Sequence, residues 1–163
     1  MDRRAAADMT TVSLVPMSPE RYVTWHAYAV AGYAEENVKS GRWTEDEALS
    51  KSQADFEALL PDDLDTVGHE LWSVTDAHGD EVGILWVATD RRPNYAFIYD
   101  IEVNPDRRGE GFGTAALLAL EKWCQANGIS TIGLHVFGHN QGAWRHYQRM
   151  GYVEKSVQME KQL

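Results

Sequence analysis

The chain has one cysteine, Cys124, in 163 residues, so it can close no intrachain disulfide and hold no thiolate metal cluster. A reducing compartment, the cytoplasm, suits such a chain. No apolar run approaches the ~20 residues that a membrane-spanning helix needs, so no membrane partner is expected. Positive charge is scarce. Lys and Arg number 15 against 25 Asp and Glu, a formal net charge of −10. That argues against a nucleic-acid partner, which would need a basic face. It leans toward a cationic partner, although acidic surfaces also keep proteins soluble. Met1 to Asp8 are polar and lack the apolar stretch of a secretory signal. Residues 1–10 read as a disordered leader, with Met9 as an alternative start, and 11–163 as a single domain large enough to bury a core.

What is present reads as mixed α/β. Thr11 to Met17 is a short edge strand. Ser18-Pro19-Glu20 starts a helix, with a serine cap and proline at the first helical position. Thr44 to Glu47 is a capping box for a second helix, which stops at Pro61-Asp62-Asp63. Glu70 to Thr75 and Val82 to Thr89 flank the turn Ala77-His78-Gly79-Asp80 and form an antiparallel hairpin. Tyr95 to Val103 is a third strand of that meander. A helix then runs from Gly111 to Asn127, with Gly128 as its C-terminal cap. Ile129 to Phe137 is a strand and Asn140 to Met150 a helix. Tyr152 to Met159 is expected to close the sheet.

The segment Arg107-Arg108-Gly109-Glu110-Gly111-Phe112-Gly113-Thr114 joins a strand to a helix. Its glycines bare the backbone and permit positive φ. The helix start offers unpaired N–H groups and a positive dipole end. Together they make an anion cradle of a size for a diphosphate, with Arg107 and Arg108 adding charge. A P-loop would need Lys-Ser or Lys-Thr after the last glycine, and Thr114-Ala115 does not supply it. Gly111, Gly113 and Ala116 fit a dinucleotide fingerprint, but the expected acid ~20 residues on is missing at Leu134-His135-Val136. A glycine turn without a ligand is the plain alternative.

Arg108-x-x-Gly111-x-Gly113 after Val103-x-Pro105 resembles the acetyl-CoA pyrophosphate loop of the GNAT acetyltransferase superfamily. Asn140, Ala143, Tyr147 and Gly151-Tyr152 resemble that family's second signature, at fitting spacing. The segments YAEENVKSGRW, FIYDIEV and LHVFGHN are similar to a bacterial subgroup, the YycN-like proteins. The resemblance covers roughly residues 10 to 163. It implies a mainly antiparallel central sheet with helices on both faces and a V-shaped splay between the two middle strands, where pantetheine lies.

By the same resemblance, the protein is an acetyl-CoA-dependent N-acetyltransferase acting on a small-molecule or peptide amine. The backbone of Ile101 and Val103 would line the pantetheine, and a Val103 N–H would polarise the thioester carbonyl. Arg108, Gly109, Gly111, Phe112, Gly113 and Thr114 would hold the pyrophosphate. Asn140 would contact the pantetheine arm or cap its helix, beside Ala143. Tyr147 matches the general acid; a phenol near pKa ~10 can protonate a thiolate whose parent thiol lies near ~8.5. Tyr33, Glu36 and Trp43, with Tyr28 and Glu35, fall in the region that lids the acceptor. A homodimer is compatible with the family.

For the base, three side chains compete. Asp100 and Glu102 share a strand face and can raise one another's pKa or hold a cationic amine. A solvated or salt-bridged face is the plain alternative. His135 on the next strand suits base chemistry near neutral pH. A metal is not expected, because His135, His139 and His146 straddle a strand, a loop and a helix. Cys124 reads as a buried hydrophobe. A non-catalytic acyl-CoA sensor on the same fold and a nucleotide-dependent oxidoreductase are the competing functions.

Overall fold

A computed structural model describes residues 10–163. Strand β1 (Ser13–Pro16) leads into helices α1 (Pro19–Lys39) and α2 (Glu45–Leu59). Strands β2 (His69–Thr75), β3 (Glu81–Ala88) and β4 (Tyr95–Val103) follow, then α3 (Phe112–Ala126), β5 (Thr131–Leu134) and α4 (Gln141–Arg149). The sheet order is β1-β2-β3-β4-β5, antiparallel except for the β4–β5 pair. Of the segment expected as a leader, only Thr10 lies among the described residues.

Local signals set the helix ends. The Ser18 hydroxyl accepts from Arg21 N–H at 3.1 Å, and Pro19 occupies the first turn of α1. Thr44 and Glu47 form the expected capping box of α2. The buried Ser52 hydroxyl donates to the Val30 carbonyl at 2.7 Å and locks α2 onto α1.

Helices cover both faces of the sheet. From Val82 to Ala88 every residue of β3 is buried. On one face Trp72, Val74, Leu85, Val87 and Ile98 pack with Leu117 and Leu120 of α3. On the other, Leu71, Ile84 and Trp86 pack with Tyr22, Trp25 and Phe56 of α1 and α2.

Two irregularities in β4 shape the site. The β3–β4 register jumps from Trp86↔Asp100 to Val87↔Ile98, so Tyr99 is an inserted bulge residue. Ile98 therefore faces α3, while Tyr99 joins the cluster beneath α1 and α2. The parallel β4–β5 ladder ends at Ile98↔Leu134, whereas β4 runs on to Val103. The strands splay from there.

Two expectations fail. The strand expected at Ile129 to Phe137 pairs only over Thr131–Leu134. Tyr152 to Met159 forms no strand among the described residues. Val153 and Val157 are 70% and 61% exposed, so the segment has neither a ladder nor a buried face to hold it.

Candidate active site

The glycine loop ends in a bare helix start. Gly109 and Gly111 have φ of 80° and 88°, and Gly111 is the N-cap of α3. No side chain among the described residues caps that end, so its first N–H groups face outward. A Cβ on Gly111 would meet Thr10 Oγ1 at 3.5 Å, an ordinary contact. The backbone angle, not crowding, calls for glycine there. The Thr10 hydroxyl donates to the Glu110 carbonyl at 3.1 Å and steadies the loop.

The two arginines of the loop do different work. Arg107 Nε bonds Glu110 at 3.0 Å, its NH2 group reaches Asp76 at 3.3 Å, and its guanidinium lies over the Phe112 ring. It is a strut holding the loop to the β2–β3 turn. Arg108 is exposed and donates from Nε to the Val103 carbonyl at 3.3 Å. Phe112 is buried, and Gly113 and Thr114 begin the helix. A Cβ on Gly113 would stand 3.8 Å from His146 and Val103.

The splay opens next to this loop. Asn104 donates its N–H to the Val82 carbonyl, toward β3, at 2.8 Å. Successive N–H groups of a strand alternate, so that of Val103 points into the gap. The Ile101 N–H is engaged by the Asp100 carboxylate. Asn140 accepts from the Ala143 N–H at 3.2 Å, so of its two expected roles it fills the helix cap. That cap orients α4, which lays Tyr147 against the cluster containing Ile101 and Val103.

Asp100 lies on the α1 face of β4, and its charge is felt by Tyr147 of α4. Trp25 Nε1 donates to Asp100 Oδ2 at 2.9 Å. Desolvation, with the neighbouring Glu102 charge second, pushes the Asp100 carboxyl up to about 7, against the opposing pull of the Trp25 and Ile101 donors. Burial, and then the Asp100 charge, raises the Tyr147 phenol and keeps it protonated. Tyr28, on α1, feels Glu102 and Asp100 as well. Glu102 is exposed beside them. Tyr147 thus reaches from the α3 side of the sheet into the field of a carboxylate on the α1 side.

The other candidates are more dispersed. His135 is exposed, just past the end of β5, and its ring meets Phe137 at 5.0 Å. Partial desolvation and the Arg42 charge hold it below its ordinary pKa, and no hydrogen bond ties it to Asp100, Glu102 or Tyr147. Tyr33 packs edge-on against Trp43 and Phe56. The buried Asn37 fixes that corner, its carbonyl accepting from the N–H groups of Arg42 and Trp43. Glu36 bonds His139, clasping α1 to the loop before α4. Among the described residues no group of three or more His, Cys, Asp or Glu is placed to hold a metal. No helix among them is long and apolar enough to cross a membrane.

A depression of about 420 Å³ adjoins Tyr99 and is lined by His69, Asp90 and Arg91 among others. A larger one, about 520 Å³, lies between α1 and α2, at Ala34, Val38 and Leu49, away from these groups. Sequence reasoning missed Trp25 as a site residue. Its helical spacing marks it as apolar core, and only the fold shows where its single N–H goes.

Residues 22–152 match the model of the acetyltransferase (GNAT) family. The chain belongs to that family. It is 40% identical to the uncharacterised N-acetyltransferase YycN of Bacillus subtilis (strain 168), over 94% of this chain and 99% of that one. It is 35% identical to YdgE of the same organism, over 93% and 98%. A crystal structure of YycN superposes with a TM-score of 0.90 at 39% identity, again over 94% and 99%. GNAT membership carries the fold, and N-acetyl transfer is the activity it supports.

Proposed function

We propose that residues 11–163 form one acyltransferase domain that moves an acetyl group from acetyl-CoA to a primary amine by direct attack. The observation that carries this reading is the opening of β4 from β5 beyond Ile98, with the Trp25-bonded Asp100 carboxylate on that free stretch and Val103 beside the uncapped N-terminus of α3. The α3 N–H groups and the backbone from Arg108 to Thr114 would bind the pyrophosphate. The acetyl-pantetheine arm would lie in the gap, where the Val103 N–H would meet the thioester oxygen.

The reaction balances with these groups. A protonated amine gives one proton to Asp100, directly or through water. Its lone pair forms the N–C bond, the C–S bond breaks, and the departing thiolate takes its proton from the Tyr147 hydroxyl. The amide nitrogen's surplus proton returns through water to the tyrosinate, and Asp100 gives its proton to solvent, so one proton is released per turnover. Asp100 suits the base better than His135, because its titration is moved toward neutrality at the gap itself. The acidic balance of the chain and the carboxylates at the site favour a cationic acceptor, such as a polyamine, an aminoglycoside or a peptide N-terminus. The lone buried Cys124 suits a cytoplasmic protein.

Calorimetric titration with acetyl-CoA, with NADH and ATP as controls, tests the donor. Micromolar or tighter binding of acetyl-CoA alone is expected. Gly111→Val forces a β-branched residue into φ 88° and should weaken that binding at least ~10-fold. Unaltered affinity in a folded variant would remove the loop from the site. Binding without turnover across a broad amine panel would favour the sensor.

A further inference from the structure

We propose that Trp25 is a positioning residue: its fully buried indole fixes the Asp100 carboxylate at the mouth of the β4–β5 gap through the 2.9 Å Nε1–H···Oδ2 hydrogen bond. The inference rests on the reading of Asp100 as the base. Trp25 is 0% exposed and has nowhere to swing. Its ring centroid lies 5.7 Å from that of Tyr22, 6.1 Å from Phe56 and 5.4 Å from Trp86. An indole has one donor and no acceptor. Wherever that N–H points, the packing of four aromatic rings dictates it.

The Tyr99 bulge supplies the other half of the contact. Without the inserted residue, strand alternation would keep Asp100 on the same face as Ile98, beneath α3. The bulge turns the carboxylate toward α1 and onto Trp25. The groups facing Asp100 are Glu102 from its own strand, Tyr28 and Trp25 from α1, Trp86 opposite it on β3, and Tyr147 from α4. Among the described residues no cation is bonded to it. Arg21, one turn before Trp25 on α1, is bound to Glu81 at 2.7 Å and reaches Tyr28. The indole is therefore the only side-chain donor on this carboxylate among the described residues. It favours the ionised form against desolvation and against Glu102.

A purely structural indole would also need a buried partner, so the test must read the carboxylate itself. In protein carrying ¹³C-labelled aspartate carboxyls, Trp25→Phe should move the Asp100 titration midpoint upward by about one pH unit. Because the base must be ionised, the acid limb of kcat/KM for acetyl transfer to spermidine should move up by the same amount. Acetyl-CoA affinity should stay unchanged. Trp25→Phe also leaves a cavity, which costs stability. The same titration with β-(3-benzothienyl)alanine at position 25 keeps the volume and removes only the N–H. An unmoved Asp100 midpoint in a folded variant of either kind overturns the inference, whatever happens to the rate. A midpoint that moves while the acid limb stays leaves the contact standing but overturns Asp100 as the base, and with it the catalytic part of Trp25.

Discussion

The two faces of the sheet are built from different materials. Beneath α3 the packing is mainly aliphatic: Val74, Leu85, Val87, Ile98, Leu117 and Leu120 are buried together, with Trp72 and Phe112 as the buried aromatic members. Beneath α1 and α2 it is aromatic and polar, with Trp25, Phe56, Trp86 and Tyr99 and hydrogen bonds threaded between the rings. Trp86 Nε1, for example, donates to His69 Nδ1 at 3.0 Å. Aliphatic side chains contribute burial and nothing else, so that face can be fitted for stability alone. An aromatic face with polar tips can also aim donors and hold a carboxylate away from its ordinary titration. The β4–β5 splay is where the faces meet, and Tyr147 is the residue that bridges them.

The division breaks if the aliphatic face carries activity. Leu117 is fully buried at the centre of α3 and has no polar atom to offer the proposed chemistry. Leu117→Ala should cost about 3 kcal/mol of stability, a fall of roughly 10 °C in Tm. Turnover per folded molecule, measured well below the melting range, should be unchanged. A large loss of turnover in fully folded protein would show that α3 packing sets the geometry of the gap and that the faces are not separable.

Tyr147 tests the bridge. Tyr147→Phe keeps the ring against the α3 cluster and removes only the hydroxyl. Turnover should fall about a hundredfold, with acetyl-CoA affinity nearly intact. Stopped-flow or steady-state assay beside calorimetry separates the two quantities. Equal turnover in the variant would remove Tyr147 as the acid and leave it a packing residue.

The same contrast explains how much could be read from the residues alone. Helix caps, the left-handed Gly111 and the Asn140 cap are local devices, legible within four residues of chain. Asp100, Glu102 and Tyr147 were legible as candidates from their motifs, but their relative placement was not. The Trp25–Asp100 bond joins residues 75 apart in the chain, and it depends on a one-residue bulge that leaves no compositional mark. The Arg107–Asp76 bond was illegible for a related reason, since Asp76 lies 31 residues back on another turn. The closing strand fails because strand-forming residues show propensity without a partner. Thr131–Leu134 pairs with β4, and the residues after Gly151 pair with nothing in the described chain.

The smallest expected effect sharpens the contrast most, because it measures what the polar face costs. The Asp100 pKa is raised on folding, from an ordinary carboxylate value to about 7. Between those two values the native state binds more protons than the unfolded chain, so stability falls as pH rises through that window. Above about pH 7 the whole penalty of keeping the charge is present; below the unfolded value it is absent. Asp100→Asn keeps an oxygen for Trp25 and removes the charge. It should therefore be more stable than the parent at pH 8, by on the order of 2 kcal/mol after allowing for solvent at the gap, and no more stable at pH 3.5. Turnover should be lost with it. Denaturant melts of both proteins at the two pH values read the difference directly. A gain at pH 8 would mark Asp100 as a strained group retained for chemistry, whereas equal stability at both pH values would make it an ordinary surface carboxylate.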